Sequence, residues 1–246
     1  MGLFSSENMC YGGEVDITAR NSPHAELVRL VGENKHVLEV GPGIGHVSKV
    51  LKSKGCSLVA VELSQKMGAM AEAWCDRVII GDIENLDLIG ILPDMKFDVI
   101  AFGDVLEHLR DPTLVLKKAK EFLVEGGYVV ASIPNIAHRS IRYELLMGEF
   151  RYQDQGILDR THLRFFTLAN IEIMFGEAGY AIDELRRIKQ SSFFCRERER
   201  EIALLQRLGR EIVKGCLRIM LRGEAMTYQF VVKAIPEKHG VGTRSS

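Results

Sequence analysis

The 246-residue chain predicts an α/β fold built on a doubly wound, mostly parallel sheet of seven strands. Three observations lead there. A short apolar run, His36-Val37-Leu38-Glu39-Val40, passes directly into Gly41-Pro42-Gly43-Ile44-Gly45, as a buried strand does when it turns into a helix. Apolar runs then alternate with amphipathic stretches as far as Val130, which implies right-handed βαβ units. No internal repeat or low-complexity tract interrupts the alternation.

Taken in order, Ser22-Pro23 marks the start of a helix over 23–31, with serine as cap and proline in the first turn. That helix precedes the first strand and is placed to cover the edge of the site that follows. The helix after the glycine turn should run roughly over 44–53. Ser57-Leu58-Val59-Ala60-Val61 is a second strand ending in Glu62, and Leu63-Ser64 leads into another helix. Arg77-Val78-Ile79-Ile80 is a third strand, followed by Gly81-Asp82-Ile83-Glu84. The fourth, 97–102, ends in Gly103-Asp104-Val105-Leu106-Glu107-His108-Leu109. An amphipathic helix over 112–124 ends at Gly126-Gly127 and feeds a fifth strand, 128–133. A helix over 168–178 leads to a sixth strand near 180–189, and 226–234 reads as the last.

The glycine turn carries the first functional signal. Glycine permits positive φ and lets a ligand approach where a Cβ would block it. The helix that follows points its free N–H groups and positive dipole end at the turn. A dinucleotide fingerprint would space its glycines G-x-G-x-x-G. Here the spacing is G-x-G-x-G, with Glu39 just upstream, and a carboxylate there disfavours a pyrophosphate and favours a cationic ligand.

With Glu39, Gly41, Gly43 and Gly45 in this pattern, the segment resembles motif I of the class I S-adenosylmethionine-dependent methyltransferases. The resemblance covers about 37–181 closely and the rest loosely. It implies a Rossmann-like sheet whose last strand runs antiparallel between the fifth and sixth. It implies S-adenosylmethionine as cofactor. Glu39 and the three glycines would hold its methionine end, with Asp104 nearby, and Glu62 the ribose, with Leu63 beside it. Asp82 and the Ile83 N–H would meet the adenine. The Asp104 to Leu109 run is similar to a D/E-V-L-E-H-L run of family members.

Composition fits one α/β domain, 22–235, after an N-terminal segment 1–21 and before a tail, 236–246, expected to be disordered. A net charge of −1 gives no sign of a nucleic-acid or anionic-membrane partner. Five cysteines (Cys10, Cys56, Cys75, Cys195, Cys216) form no C-x-x-C pair, which fits a reduced, cytoplasmic protein and disfavours zinc. No apolar run approaches the ~18 residues of a membrane span, and the N-terminus lacks signal-peptide regions. Met1 to Ser6 matches a myristoylation pattern, but no basic cluster follows to supply a second membrane signal.

Two regions exceed the minimal fold. Residues 135–167 follow the fifth strand, where open α/β sheets bind ligands, and are the expected site of acceptor recognition. Residues 196–222 put Ile202, Leu205, Leu208, Ile212 and Leu217 roughly on one helical face: a packed helix, a lid or a homodimer contact.

Methyl transfer needs a general base only if the acceptor arrives protonated. His162, in Asp159-Arg160-Thr161-His162-Leu163-Arg164-Phe165-Phe166-Thr167, is the preferred base, with Asp159 or Glu107 as orienters. The run resembles a D-x-x-H-x-R-x-F-T pattern of bacterial small-molecule and glycan methyltransferases, including relatives of the ubiquinone-pathway O-methyltransferases. Alternatively His162 and Arg164 tie the insertion down while Phe165 and Phe166 fill core. His108 lies near the expected methyl group, as a base or as a structural neighbour of the cofactor, and His138 near the end of the fifth strand. His24, His36, His46 and His239 have no supporting context. Arg139, Arg142, Arg160 and Arg164 could bind an anionic acceptor or form a solvated basic face. A metal is not expected: Asp104, Glu107 and Asp111 could supply carboxylates, but the cofactor motif accounts for the first two.

The resulting expectation is methyl transfer to an oxygen or nitrogen of a small molecule or glycan. The alternatives are a peptide or protein amine as acceptor, a non-catalytic cofactor-binding module, and an NAD-dependent dehydrogenase.

Overall fold

Helix α1 (Pro23–Val31) starts where the sequence places it: Ser22 is extended, its Oγ accepts the Ala25 N–H, and Pro23 opens the first turn. In this computed structural model, residues 16–19, 21–189 and 223–237 are described. From α1 the chain enters β1 (His36–Val40), the glycine turn and α2 (His46–Ser53). It continues through β2 (Ser57–Glu62), α3 (Gln65–Ala71), β3 (Arg77–Ile80) and the short α4 (Leu88–Ile91). Then come β4 (Phe97–Gly103), α5 (Pro112–Ala119), β5 (Leu123–Pro134) and α6 (Arg139–Leu146). Helix α7 (Leu168–Glu177) leads to β6 (Tyr180–Ile188), and β7 (Gln229–Pro236) is the last described strand.

The sheet has seven strands in the order β3-β2-β1-β4-β5-β7-β6. Strands β1 to β5 pair in parallel, and β7 runs antiparallel between β5 and β6. Both the doubly wound sheet and its antiparallel strand are as expected. Alternate residues of each strand enter opposite cores, which is why the strands read as nearly continuous apolar runs. On one face Val37, Leu58, Val99, Ala101, Val130 and Val231 pack under α1 and α2. On the other, Leu38, Val61, Ile100, Phe102, Ala131 and Phe230 pack with residues of α5 and α7. Strand β1 is flanked by β2 and β4, so the chain leaves it in opposite directions, and the crevice at such a reversal is where these sheets bind ligands.

Several boundaries differ from expectation. The helix expected over 112–124 ends at Ala119, a 3₁₀ turn follows over Lys120–Phe122, and Leu123 already pairs with Phe97 in β5. The register slips between Phe97 and Val99, opposite Gly126 and Gly127. A Cβ on Gly127 would lie 3.0–3.1 Å from the carbonyl oxygens of Phe97, Asp98 and Val124, so the glycine pair shapes an irregularity within the strand rather than a helix end. The last strand, expected over 226–234, begins at Gln229, with Gly223–Met226 forming a 3₁₀ turn ahead of it, and extends past 234 to Pro236, which pairs with Tyr180. The 135–167 region holds a helix, α6, and its own small core of Ile141, Ile157 and Leu158. The myristoylation pattern, the 196–222 helix and the tail beyond Glu237 lie outside the described residues.

Helix α7 opens with a reciprocal cap: Thr167 Oγ1 accepts the Asn170 N–H and Asn170 Oδ1 accepts the Thr167 N–H, both at 3.3 Å. Thr167→Ala should lower stability by about 0.5–2 kcal/mol, read as a lower urea midpoint with unchanged slope. An unmoved midpoint would show that water caps the helix equally well.

Candidate active site

Gly41, Gly43 and Gly45 adopt φ of 69°, 57° and 86°, values that L side chains rarely adopt. The turn has two sides. A Cβ on Gly45 would lie 2.8 Å from Trp74 Cδ1 and 3.3 Å from Ala71 Cα, so this glycine lets the end of α3 close in. A Cβ on Gly43 would meet nothing within 4 Å, so that side faces open space, where a ligand can lie against bare backbone.

The acids expected at the strand ends surround this turn. Glu62 Oε2 accepts the Gly43 N–H (3.0 Å) and Oε1 the Ser64 N–H (2.8 Å), tying the loops after β1 and β2 together. A carboxylate has about four acceptor sites, so two stay available for hydroxyl donors. Glu39 is buried and takes one bond, from Ser48 Oγ at 2.7 Å. Burial pushes its carboxyl up to about 7, against the pull of Ser48 and His24. A cationic ligand beside it would restore the ionised form. Asp82 accepts from the Glu84 N–H (2.9 Å) and Asn85 Nδ2 (2.7 Å), Ile83 is buried behind it, and Leu63 is 70% exposed at the end of β2.

Asp104, just past β4, is held by Ser132 and Gln229 through Oδ1, and its Oδ2 lies 3.6 Å from His24 Nε2. Sequence reasoning gave His24 no context and missed Gln229 and Ser132. The signals were present but weak. His24 sits in the first turn of a helix placed over the site's edge, and Gln229 is a polar residue at the head of an otherwise apolar strand.

The second group lies on the 3₁₀ turn Leu106–His108. The Glu107 carbonyl accepts both the Leu163 N–H (2.9 Å) and the Arg164 N–H (3.0 Å), which hooks the 159–167 run onto this turn. His162 Nδ1 is 3.0 Å from the Ile157 carbonyl. A carbonyl only accepts, so Nδ1 carries the proton and Nε2 the lone pair. That Nε2 lies 4.0 Å from Glu107 Oε1. Burial, then the neighbouring His108, hold His162 below its ordinary value and keep it neutral near pH 7. His108 Nδ1 faces the Thr161 carbonyl at 3.2 Å. The two rings meet edge to face, 4.8 Å apart.

Glu107 is 1% exposed, and neither carboxylate oxygen has a hydrogen-bond partner among the described residues. Burial, then the charge of Asp104, push it well above the ordinary carboxylate range. Glu107, His108 and His162 each offer one donor atom, all within 4.8 Å of one another, a set that could hold a divalent cation. The sequence groups Glu107 with His162 as an orienting acid and predicts no metal-ligating set here.

Asp159 does not orient the His162 ring. Its Oδ1 accepts from the Thr161 N–H (2.8 Å) and Oγ1 (2.6 Å), fixing the turn whose Thr161 carbonyl faces His108. The group that orients His162 is the Ile157 carbonyl. His138 caps α6, bonds Ser140, and is pushed down to about 4 by burial. Arg142, Arg160 and Arg164 bond, respectively, the Ala137 carbonyl, Asp154 and the Arg110 carbonyl, so these arginines brace the insertion.

A glycine turn ringed by acids at the strand reversal, with a histidine-bearing insertion hooked onto the turn after β4, fits a class of enzyme that comparison with known proteins identifies. Residues 17–185 match the family model described as a methyltransferase domain. The chain belongs to this family: it is a class I S-adenosylmethionine-dependent methyltransferase related to the ubiquinone-pathway O-methyltransferases, and S-adenosylmethionine is its cofactor. It is 28% identical over 180 residues to a ubiquinone biosynthesis O-methyltransferase of Azorhizobium caulinodans, covering 69% of this chain and 68% of that one. Against the Psychrobacter arcticus protein of the same name it is 23% identical over 172 residues, 67% of this chain and 66% of that one. The chain thus spans about two thirds of the length of these relatives. The fold matches magnesium protoporphyrin IX methyltransferase of Synechocystis PCC 6803, a structure with bound SAH, with a TM-score of 0.58 at 13% identity, covering 92% of this chain and 90% of that one.

Proposed function

We propose that this methyltransferase moves the methyl group of S-adenosylmethionine to an oxygen of a small-molecule acceptor, with His162 taking the acceptor's proton. The observation that carries the reading is the His162 Nε2 lone pair, left free by the bond of Nδ1 to the Ile157 carbonyl and facing Glu107 on the turn after β4. The O-methyltransferase names of the relatives support oxygen over nitrogen. Glu39, Gly41, Gly43 and Gly45 would hold the methionine end, with Asp104 behind it, and Glu62 would hold the ribose hydroxyls. Leu63, Asp82 and Ile83 would frame the adenine, and residues 135–167 would read the acceptor.

The step balances without a redox partner. The acceptor O–H gives its proton to His162 Nε2, its oxygen bonds the methyl carbon, and the C–S electron pair leaves on sulfur as S-adenosylhomocysteine. Alignment of oxygen, carbon and sulfur is the larger contribution, up to ~7–11 kcal/mol. A second reading rests on the convergence of Glu107, His108 and His162. A divalent cation there would bind the acceptor oxygen and lower its pKa. Loss of turnover on chelation, restored by metal, would favour that reading.

No helix among the described residues is long and apolar enough to cross a membrane. Free Cys56 and Cys75 fit a reducing compartment, and we place the protein in the cytoplasm on that basis.

Calorimetric titration with S-adenosylmethionine, S-adenosylhomocysteine and NAD tests the cofactor assignment. Labelled methyl donor with phenol, sugar and peptide acceptors then tests the acceptor class. Glu62→Ala should weaken S-adenosylhomocysteine binding by roughly 1.5–3 kcal/mol, the range for hydrogen bonds to a charged group. An unchanged dissociation constant would remove Glu62 from the ribose. Tight binding with no transfer to any acceptor would favour a cofactor-binding module, and transfer to the peptide alone would move the acceptor to a protein amine.

A further inference from the structure

Asp104, at the end of β4, is tied to three other elements at once. Its Oδ1 accepts from Ser132 Oγ of β5 at 2.8 Å and from Gln229 Nε2 of β7. Its N–H donates to the same Ser132 Oγ at 3.0 Å, and its Oδ2 pairs with His24 Nε2 of α1 at 3.6 Å. It holds φ of 55°, a left-handed value that a non-glycine residue keeps only when its surroundings impose it. The network therefore fixes the tip of β4, directly ahead of the turn that carries Glu107 and His108.

The groups acting on His24 are acidic: Asp104 from the end of β4 and Glu39 from β1. Behind them, Glu62 of β2 acts on Glu39, and His108 of the following turn acts on Asp104. The His24 ring is 41% exposed and the Asp104 side chain 27%, so both exchange protons with solvent. The pairing with Asp104 outweighs the desolvation of His24 and raises its imidazole above the ordinary value. Asp104 shows the reciprocal effect: burial pushes it up, but His24 and Ser132 bring it below its ordinary value.

We propose that His24 is a positioning residue whose positive charge makes the methionyl end of the cofactor site receptive. The inference rests on assigning the glycine turn and Glu39 to that end of the cofactor. S-adenosylmethionine carries an α-carboxylate there, and without the imidazolium this carboxylate would meet Asp104 and Glu39 uncompensated. The same charge locks the start of α1 onto the tip of β4. As pH rises through the raised value of His24, its charge is lost while Asp104 stays ionised, and cofactor affinity falls. Linkage makes the effect reciprocal: bound cofactor must raise the His24 value by the same factor.

The test is the dissociation constant of S-adenosylhomocysteine from about pH 6 to about pH 8.5, a window that spans imidazole titration, for the wild type, His24→Gln and His24→Lys. Glu39 also titrates in this window but is present in all three proteins, so the difference between them isolates His24. The wild-type constant should rise by about tenfold, the change expected for one unit of coupled pKa shift. His24→Gln should bind weakly throughout without that rise, and His24→Lys should restore tight binding without it. Histidine-labelled NMR gives a readout that needs no variant beyond assignment: the His24 titration should move up when S-adenosylhomocysteine is bound. Parallel pH dependences in wild type and His24→Gln, or a His24 titration indifferent to ligand, would overturn the proposal and leave the cofactor assignment standing. Absence of S-adenosylhomocysteine binding at every pH would overturn both.

Discussion

His162→Ala is expected to lower turnover of an oxygen acceptor by about 10²–10⁴-fold, the usual contribution of a positioned base, with S-adenosylhomocysteine affinity retained. The size follows from the state of the ring. Nδ1 is committed to the Ile157 carbonyl, so the basic nitrogen is Nε2, and burial keeps it unprotonated near pH 7. The pH profile supplies a second check. Wild-type turnover should fall on the acid side as pH drops through the lowered value of His162, because a protonated ring accepts nothing. The variant, already without its base, should lose that acid limb. His162 also packs against His108 and Phe165, so the substitution could act by loosening the insertion. His162→Gln keeps a polar side chain of similar reach and separates the two. A folded His162→Gln with near wild-type turnover would assign the ring a structural role, and so would loss of folding in both variants.

The fold was legible where local chemistry and tertiary packing agree. Strands β1, β2 and β4 are buried on both faces and read as apolar runs, and the turn after β1 needs three positive φ values, which glycine announces. The start of β5 was not legible. Leu123 and Val124 extend the helical pattern of α5, and only pairing with Phe97 across the sheet claims Leu123 for the strand. The site divides in the same way. Glu39, Glu62 and Asp82 follow strand ends and could be found by position alone. The partner of Asp104 could not, because His24 comes to it from a helix on the far side of the first strand in sequence. Asp159 misled for a reason of reach: an aspartate near a histidine suggests a pair, but its short side chain closes on Thr161 two residues on. What orients His162 is a backbone carbonyl, and a carbonyl leaves no mark in the sequence.

Glu107→Met should make the metal-free protein more stable and inactivate it. Neither oxygen of Glu107 has a hydrogen-bond partner among the described residues, and an unsatisfied buried polar group costs about 1–3 kcal/mol. A flexible thioether of similar length fills the space without that cost, so the unfolding free energy of chelated protein should rise by about this amount. The gain must depend on pH, with a determined sign. In the folded chain Glu107 keeps its proton to well above 4.5, its ordinary value, while the unfolded chain releases it there. Above 4.5 the folded state thus binds more protons than the unfolded one, and wild-type stability falls with rising pH by up to ~1.4 kcal/mol per unit. Glu107→Met removes that slope, so its advantage should be smallest near pH 4.5 and grow toward neutrality. An equal advantage at all pH values, or none, would mean that the carboxyl has a partner in solution. The same pair of proteins separates the two catalytic readings. If a divalent cation sits on Glu107, His108 and His162, adding it must stabilise the wild type by mass action and leave Glu107→Met almost unmoved. If His162 works as a base without metal, the cation shifts neither protein, and the buried acid is kept because it faces the Nε2 that takes the proton, a local cost in stability of the kind that active sites carry.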